Sequence, residues 1–193
     1  MLLSGTETQK NLAVAFANEC RAVARYTLFA EVAKKQGFDK IAEFFLETAQ
    51  NEKAHSKIFY SELKSSGMEP LQVSTDVSTN GIQTTLDNLR AATEAEFMES
   101  TQVYPHYAET AEKEGFPNLA RLFQAIGSVE KSHHERFMKL ANDVSNHSVS
   151  KRKVKMEWKC RNCGYIYIGL AAPRACPLCH APYSSFEIKE KLE

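Results

Sequence analysis

The chain carries Glu-Lys-x-His twice, at Glu52–His55 and, 78 positions on, at Glu130–His133. A carboxylate and an imidazole three residues apart sit one turn apart on the same helix face, where both can reach one cation. Glu52 lies seven residues after Phe45 and seven before Phe59, and Glu130 relates in the same way to Phe123 and Phe137. Positions seven apart share a face, so both glutamates and their histidines fall on stripes that should point into a core. Glu19 stands midway between Leu12 and Tyr26, and Glu96 midway between Leu89 and Val103, with Glu99 three residues further on. Inward carboxylates cost several kcal/mol each unless compensated, and five together repel one another. Two divalent cations would offset most of that charge and satisfy the oxygens by coordination. An oxygen-rich donor set with one or two imidazoles suits iron or manganese better than a thiolate-preferring metal.

Helices must position these groups. Apolar residues recur at helical spacing over 8–36 and 39–64, and again over about 83–114 and 118–143. The stretch 65–82 has turn-forming and β-branched residues without periodicity and reads as a crossover connection. Shifting the chain by 78 aligns the helix pair 8–64 with 83–143, and over 26–59 it matches 13 of 34 positions. A duplicated helical hairpin predicts a four-helix bundle over residues 1–147, with the long connection crossing one end. Helix three departs from the repeat: the equivalent of Glu19 is Phe97, and Glu96 comes one residue early. One extra residue between Glu96 and Tyr104 would restore the register, and Pro105 removes a backbone hydrogen bond in the same stretch. A π-bulge around 97–104 reconciles both, and such bulges often mark functional sites.

A polar, basic linker is predicted over 148–157, and from Trp158 to Glu193 the composition turns to aromatics, Cys, Gly and Pro. Cys160-x2-Cys163 and Cys176-x2-Cys179 are two knuckles that can hold one ion in a thiolate tetrahedron, either zinc or a single iron. Spacing alone favours zinc. Trp158, Tyr165, Tyr167, Pro177 and Phe186 resemble the aromatic packing of rubredoxin, which implies a mononuclear iron and a small β fold. His180 stands where rubredoxins usually have Gly. About 36 residues bury too little core to fold alone, so metal should supply much of the stability.

Glu19, Glu52-x-x-His55, Glu96-x-x-Glu99, Glu130-x-x-His133, the run "YPHYAETAEKEGFP" and the four cysteines together resemble the rubrerythrin family, over almost the whole chain. The resemblance implies a mainly α fold: a ferritin-like bundle with a di-iron site, joined to a rubredoxin-like domain. It implies a peroxidase that reduces hydrogen peroxide to water in oxidative-stress defence. Glu52 and Glu130 would bridge two irons; Glu96 and His133 would complete one, and Glu19 the other, with His55 and Glu99 exchanging between reduced and oxidised forms. Tyr26 and Tyr104 could hydrogen-bond to ligand carboxylates or serve as amphipathic core residues. His134 reads as a solvated neighbour of a ligand, and Cys20 as a small buried residue without an activating partner.

Other classes are narrowed by composition. Lys+Arg and Asp+Glu both number 24, so no global charge draws the chain to nucleic acid or an anionic membrane. No stretch approaches a membrane span or a signal-peptide core, and the cysteine pairs suit a metal site more than disulfides, which predicts a cytoplasmic protein. No Gly-x-Gly nicotinamide fingerprint occurs, so electrons should come from an external donor, a rubredoxin or an NAD(P)H-dependent reductase. The family resemblance implies a homodimer or higher oligomer. Two rivals are a ferritin-like iron oxidation or storage protein, which leaves the tail unexplained, and a zinc-ribbon interaction protein, which leaves the glutamates unexplained.

Overall fold

The computed structural model describes residues 2–64, 70–75, 82–146 and 148–189. Helix α1 (Glu7–Lys35) and α2 (Asp39–Lys64) form one hairpin. The second runs through α3 (Thr85–Met98), a π-helical segment (Glu99–Val103), α4 (Tyr104–Lys113) and α5 (Pro117–Ser145). Most of the crossover expected over 65–82 lies outside the described residues. Of the part inside, Thr75 accepts from Arg21 on α1 at 2.9 Å and donates to Asn18 at 2.7 Å.

The repeat is visible in how each hairpin turns. Gly37 and Gly115 both have φ near +80°, a left-handed conformation that costs other residues about 1–2 kcal/mol. In each turn the following phenylalanine, Phe38 or Phe116, returns its N–H to the carbonyl of Ala33 or Ala111 at 2.8 Å, closing the helix. Each hairpin also caps the other. Glu114 accepts from the Thr8 N–H and hydroxyl at the start of α1, and Gln36 accepts from the N–H and hydroxyl of Thr85 at the start of α3.

The bundle core is split in two. One apolar cluster contains Phe29, Phe44, Phe45, Leu89 and Phe137, the other Leu12, Phe59, Tyr104, Leu119 and Phe123. Phe45 meets Phe137 with centroids 5.2 Å apart, and Phe59 meets Phe123 at 5.7 Å. These are the residues seven positions to either side of Glu52 and Glu130, so the two aromatic pairs close the ends of a polar belt. The π segment falls inside the predicted bulge: the Tyr104 N–H reaches back five residues to the Glu99 carbonyl. Ser100 and Thr101 donate their hydroxyls to the carbonyls of Glu96 and Phe97 at 2.7 and 2.6 Å, supplying partners where the ladder changes spacing.

The linker expected over 148–157 is shorter, because strand β1 (Lys151–Cys160) begins inside it. Its lysines are exposed on a strand, and pairing to β2 (Ile166–Ala171) reaches back to Lys151, while β3 (Phe186–Ile188) pairs only with Trp158, Lys159 and Cys160. The antiparallel sheet has order β2-β1-β3 and buries Trp158, Phe186, Cys160 and Cys176. The small domain meets the bundle at the α1–α2 turn, where Lys40 pairs with Glu187 at 3.2 Å and Arg161 with Glu43.

Gly115→Ala should lower stability by about 1–2 kcal/mol through the left-handed backbone alone. Denaturant unfolding should show a lower midpoint with an unchanged slope; an unaltered midpoint contradicts the turn geometry.

Candidate metal centres

Six of the seven acidic and imidazole positions singled out in the sequence converge at the belt. Glu19, Glu52, His55 and Glu130 form one buried group, and Glu52, Glu96, Glu130 and His133 a second; within each, one donor atom per residue lies within 4.8 Å of the others. Glu52 and Glu130 belong to both. The His55 Nδ1 stands 2.8 Å from Glu52, 3.1 Å from Glu130 and 3.8 Å from Glu19. The His133 Nδ1 stands 2.8 Å from Glu130, 3.2 Å from Glu52 and 3.5 Å from Glu96. One imidazole thus faces three carboxylates in each half.

These contacts do not amount to a satisfied hydrogen-bond network. Among the described residues both Glu52 oxygens, one oxygen each of Glu96 and Glu130, and the His55 Nδ1 are buried without a hydrogen-bond partner. Orphaned buried acceptors of this kind are what a bound cation satisfies. The donor chemistry, carboxylate oxygens with one imidazole per half, fits iron.

Glu99 lies outside both groups. It is half-buried at the start of the π segment. Burial, with Glu96, Glu19 and Glu130 nearby, pushes its carboxyl well above the usual range, and Arg25 opposes that rise. Tyr26 donates its hydroxyl to Glu96, and Tyr104 donates to Glu19. Of the two readings open for these tyrosines, the hydrogen-bonding one holds, on rings that also fill the core.

Two expectations are corrected. Cys20 is exposed, because it follows the inward Glu19 by one residue and turns about 100° off that face. His134 is held rather than solvated: its Nδ1 is 2.9 Å from the Thr93 carbonyl and its ring packs on Phe97 at 5.3 Å. Two residues escaped the sequence reading. Arg25 places its guanidinium over Tyr26 and donates to the Tyr26 hydroxyl at 3.2 Å. Asn51 Oδ1 lies 3.2 Å from the His133 Nε2. Asn51 stands on an exposed position of α2 and Arg25 on a half-buried flank of α1, where periodicity assigns no role.

In the small domain the four predicted cysteines come together. Cys160 Sγ lies 3.7 Å from Cys179 Sγ, and Cys163 Sγ lies 3.6 Å from Cys176 Sγ. Thiolates about 2.3 Å from one ion would stand about 3.8 Å apart at tetrahedral angles. The knuckles repeat each other: Gly164 and His180 each return an N–H to the first cysteine's carbonyl, at 2.8 and 2.9 Å, with φ of 79° and 59°. Histidine tolerates this left-handed position better than most side chains, which explains how His180 replaces Gly. Hydrogen bonds from the Asn162 side chain and the Ala181 N–H hold the Cys179 thiol down to about 6.

Comparison with known proteins decides what these centres belong to. The rubrerythrin family model matches residues 10–141, and the model of the rubrerythrin rubredoxin-like domain matches 158–187. The rubrerythrin of Porphyromonas gingivalis is 44% identical over 185 residues, covering 96% of this chain and 91% of that protein. The rubrerythrin of Clostridium perfringens is 42% identical, covering 96% of each. This chain belongs to the rubrerythrin family.

Rubrerythrins are iron-dependent oxidoreductases, and the fold agrees with that membership. Fully reduced, all-ferrous nigerythrin superposes with a TM-score of 0.64 at 28% identity, over 97% of this chain and 92% of that one. A Desulfovibrio desulfuricans bacterioferritin superposes at 0.66 but only 21% identity, over 74% and 82%, and shares the bundle fold alone. The chain therefore has the di-iron carboxylate site and the four-cysteine rubredoxin-like site of its family. No helix among the described residues is long and apolar enough to cross a membrane.

Without metal, protons take the place of cations in the belt. Burial, helped by Glu52 and Glu130, pushes Glu19 up to about 8, and burial pushes Glu96 up to about 7. Burial would lower both imidazoles, but the facing carboxylates outweigh it and raise His55 and His133 to about 12. Burial acts upward on Glu52 too, yet the two imidazolium groups hold it down to about 2. Metal needs neutral imidazole and ionised carboxylate, so binding releases protons and affinity rises with pH. The rise should be steepest below about pH 8, where Glu19 and Glu96 also surrender protons, and shallower above it. Anaerobic Fe(II) titrations between about pH 6 and about pH 9 measure this; a pH-independent affinity contradicts the proton-filled belt.

Proposed function

We propose that this protein is a cytoplasmic peroxidase that reduces hydrogen peroxide to two waters, consuming two electrons and two protons, in defence against oxidative stress. The observation that carries the reading is the pairing, in one chain, of two three-carboxylate, one-imidazole groups sharing Glu52 and Glu130 with a separate thiolate tetrahedron. In this reading Glu52 and Glu130, which belong to both groups, would be shared between two irons, Glu96 and His133 would help to hold one, and Glu19 and His55 the other. The iron pair, when bound, supplies the two electrons that cleave the O–O bond. Tyr26 and Tyr104 hold Glu96 and Glu19 in place by donating to them. The pairs Phe45–Phe137 and Phe59–Phe123 keep water out along the bundle axis. Glu99 would take the place of His55 as a ligand when the iron is oxidised, because a carboxylate offsets a higher metal charge; His55 inside the groups and Glu99 outside fits the reduced arrangement.

Electrons would come from an external donor, a rubredoxin or an NAD(P)H-dependent reductase, to an iron that Cys160, Cys163, Cys176 and Cys179 would hold. Within one chain Arg161, beside Cys160, meets Glu43, nine residues and so about 14 Å of helix rise before Glu52. A homodimer or higher oligomer in which one subunit's cysteine iron serves its partner's di-iron site would avoid that separation. An iron-storage role, the alternative the bundle alone allows, leaves the cysteine domain without a task.

Metal analysis of anaerobically prepared protein should give about three irons per chain, from the two kinds of donor set. Cys160→Ser/Cys176→Ser should lose the thiolate-bound iron and turnover with an external donor, while its reduced bundle still reacts once with peroxide. Stopped-flow oxidation reads this. Loss of the single turnover with two bundle irons retained overturns the division of labour. Glu99→Ala should bind Fe(II) almost normally, yet show a raised di-iron potential and slower oxidation by peroxide. An unchanged potential with intact metal content leaves Glu99 without a ligand role.

A further inference from the structure

Each half of the belt holds three carboxylates and one imidazole and is served by one tyrosine, and the Glu99 that the π segment adds does not by itself explain why one histidine should yield and the other stay. The two imidazoles differ in what holds their second ring nitrogen. The His133 Nδ1 faces Glu130, Glu52 and Glu96, which leaves Nε2 to carry the proton, and Asn51 Oδ1 lies 3.2 Å from it. A hydrogen bond at the far nitrogen fixes both the tautomer and the ring plane of a ligand histidine. Asn51 immediately precedes Glu52 on α2 and reaches across to α5.

The repeat equivalent of Asn51 is Val129, immediately before Glu130 on α5. In the matching relation it would serve His55 on α2, but valine has no side-chain acceptor. The His55 Nδ1 is a buried atom without a hydrogen-bond partner among the described residues, and the residue that stands to His55 as Asn51 stands to His133 is apolar. His55 is therefore positioned by packing and by whatever its Nδ1 binds. His133 is positioned from both sides.

We propose that Asn51 fixes His133 as the permanent imidazole ligand, and that valine at the corresponding position 129 leaves His55 without that second hold, so that His55 is the imidazole that gives up the metal to Glu99. Asn51 is a positioning residue: it touches no reacting atom and acts through His133. The inference rests on the ligand exchange proposed above and adds the reason it occurs in one half of the site only. The π segment completes the asymmetry from the other side, since it sets Glu99 beside the groups at a position where the first hairpin has Arg21.

The test uses the iron-loaded full-length protein. In the diferrous state, imidazole N–H protons of ligand histidines give hyperfine-shifted NMR signals that disappear in D2O as they exchange. The wild type should show one signal exchanging at least about tenfold more slowly than the other, in keeping with the usual effect of such outer hydrogen bonds. Asn51→Val should remove the slow signal and Asn51→Asp, which keeps an acceptor, should retain it. Val129→Asn should create a second slow signal. In a crystal structure of its oxidised form, His55 should remain at the metal and Glu99 should stay outside. Equal exchange of both protons in the wild type, or displacement of His55 by Glu99 in oxidised Val129→Asn, overturns the proposal. If Asn51→Val loses iron, the Val129→Asn pair of measurements still decides. An oxidised wild type that keeps His55 and excludes Glu99 would instead overturn the exchange itself, and two bound irons in either case leave the assignment of the belt intact.

Discussion

Four buried carboxylates and two imidazoles share the middle of one bundle, and most of the architecture follows from keeping them there. An uncompensated charge in a protein interior is costly enough to expel the group or neutralise it. Here the belt is enclosed rather than expelled: Glu19, Glu52, Glu96 and Glu130 are each at most 2% exposed. That enclosure divides the apolar core into two clusters, each closed toward the belt by a pair of stacked or tilted phenylalanines. The helices cannot rotate or slide without carrying a carboxylate into an aromatic layer, so the polar belt sets the helix phases as firmly as the apolar clusters do. Compensation then has to come from protons or from cations, and the coordination chemistry of the family supplies the second.

The duplicated hairpin makes the belt nearly symmetric, and the departures from symmetry are where the two halves acquire different tasks. Gly37 and Gly115, Phe38 and Phe116, and the reciprocal caps from Gln36 and Glu114 preserve the fold of both halves. Tyr26 and Tyr104 serve Glu96 and Glu19 across the hairpins. Against this background helix three shifts by one residue, and the π segment absorbs the shift with hydroxyls from Ser100 and Thr101. Arg25 beside Tyr26 has Val103 as its counterpart beside Tyr104, and Asn51 has Val129. Each of these differences leaves one half without a polar group that the other half has.

The small domain obeys a different constraint. Its buried core is little more than Trp158, Phe186 and two cysteines, too little apolar surface to order a chain of this length. Two knuckles of the same geometry bring four sulfurs to tetrahedral separations, so the bound ion joins segments that the sheet only partly holds. Ion pairs of Arg161 with Glu43 and Lys40 with Glu187 fix where that unit meets the bundle, and they are surface contacts of modest strength.

Much of this was legible in the chain itself. Heptad spacing around Glu19, Glu52, Glu96 and Glu130 set which residues face inward, because helix periodicity is local and regular. The 78-residue repeat fixed the pairing of hairpins, and its one-residue slip with Pro105 located the π segment. The cysteine knuckles were readable because their spacing is dictated by the turn that carries them. Other features needed the tertiary structure. Cys20 and His134 were misjudged because exposure and a carbonyl partner on another helix depend on how neighbours pack. Asn51 and Arg25 lie on faces that periodicity assigns to solvent, and their importance arises only where a second helix brings His133 or a tyrosine hydroxyl within reach. The sequence by itself determined the donor types and the faces they occupy, since both follow from side-chain chemistry and helix pitch. Only the tertiary structure decided that Glu99 stands outside the groups and His55 inside, and that one imidazole is held from both sides and the other from one, because those outcomes depend on distances between helices that no local spacing encodes.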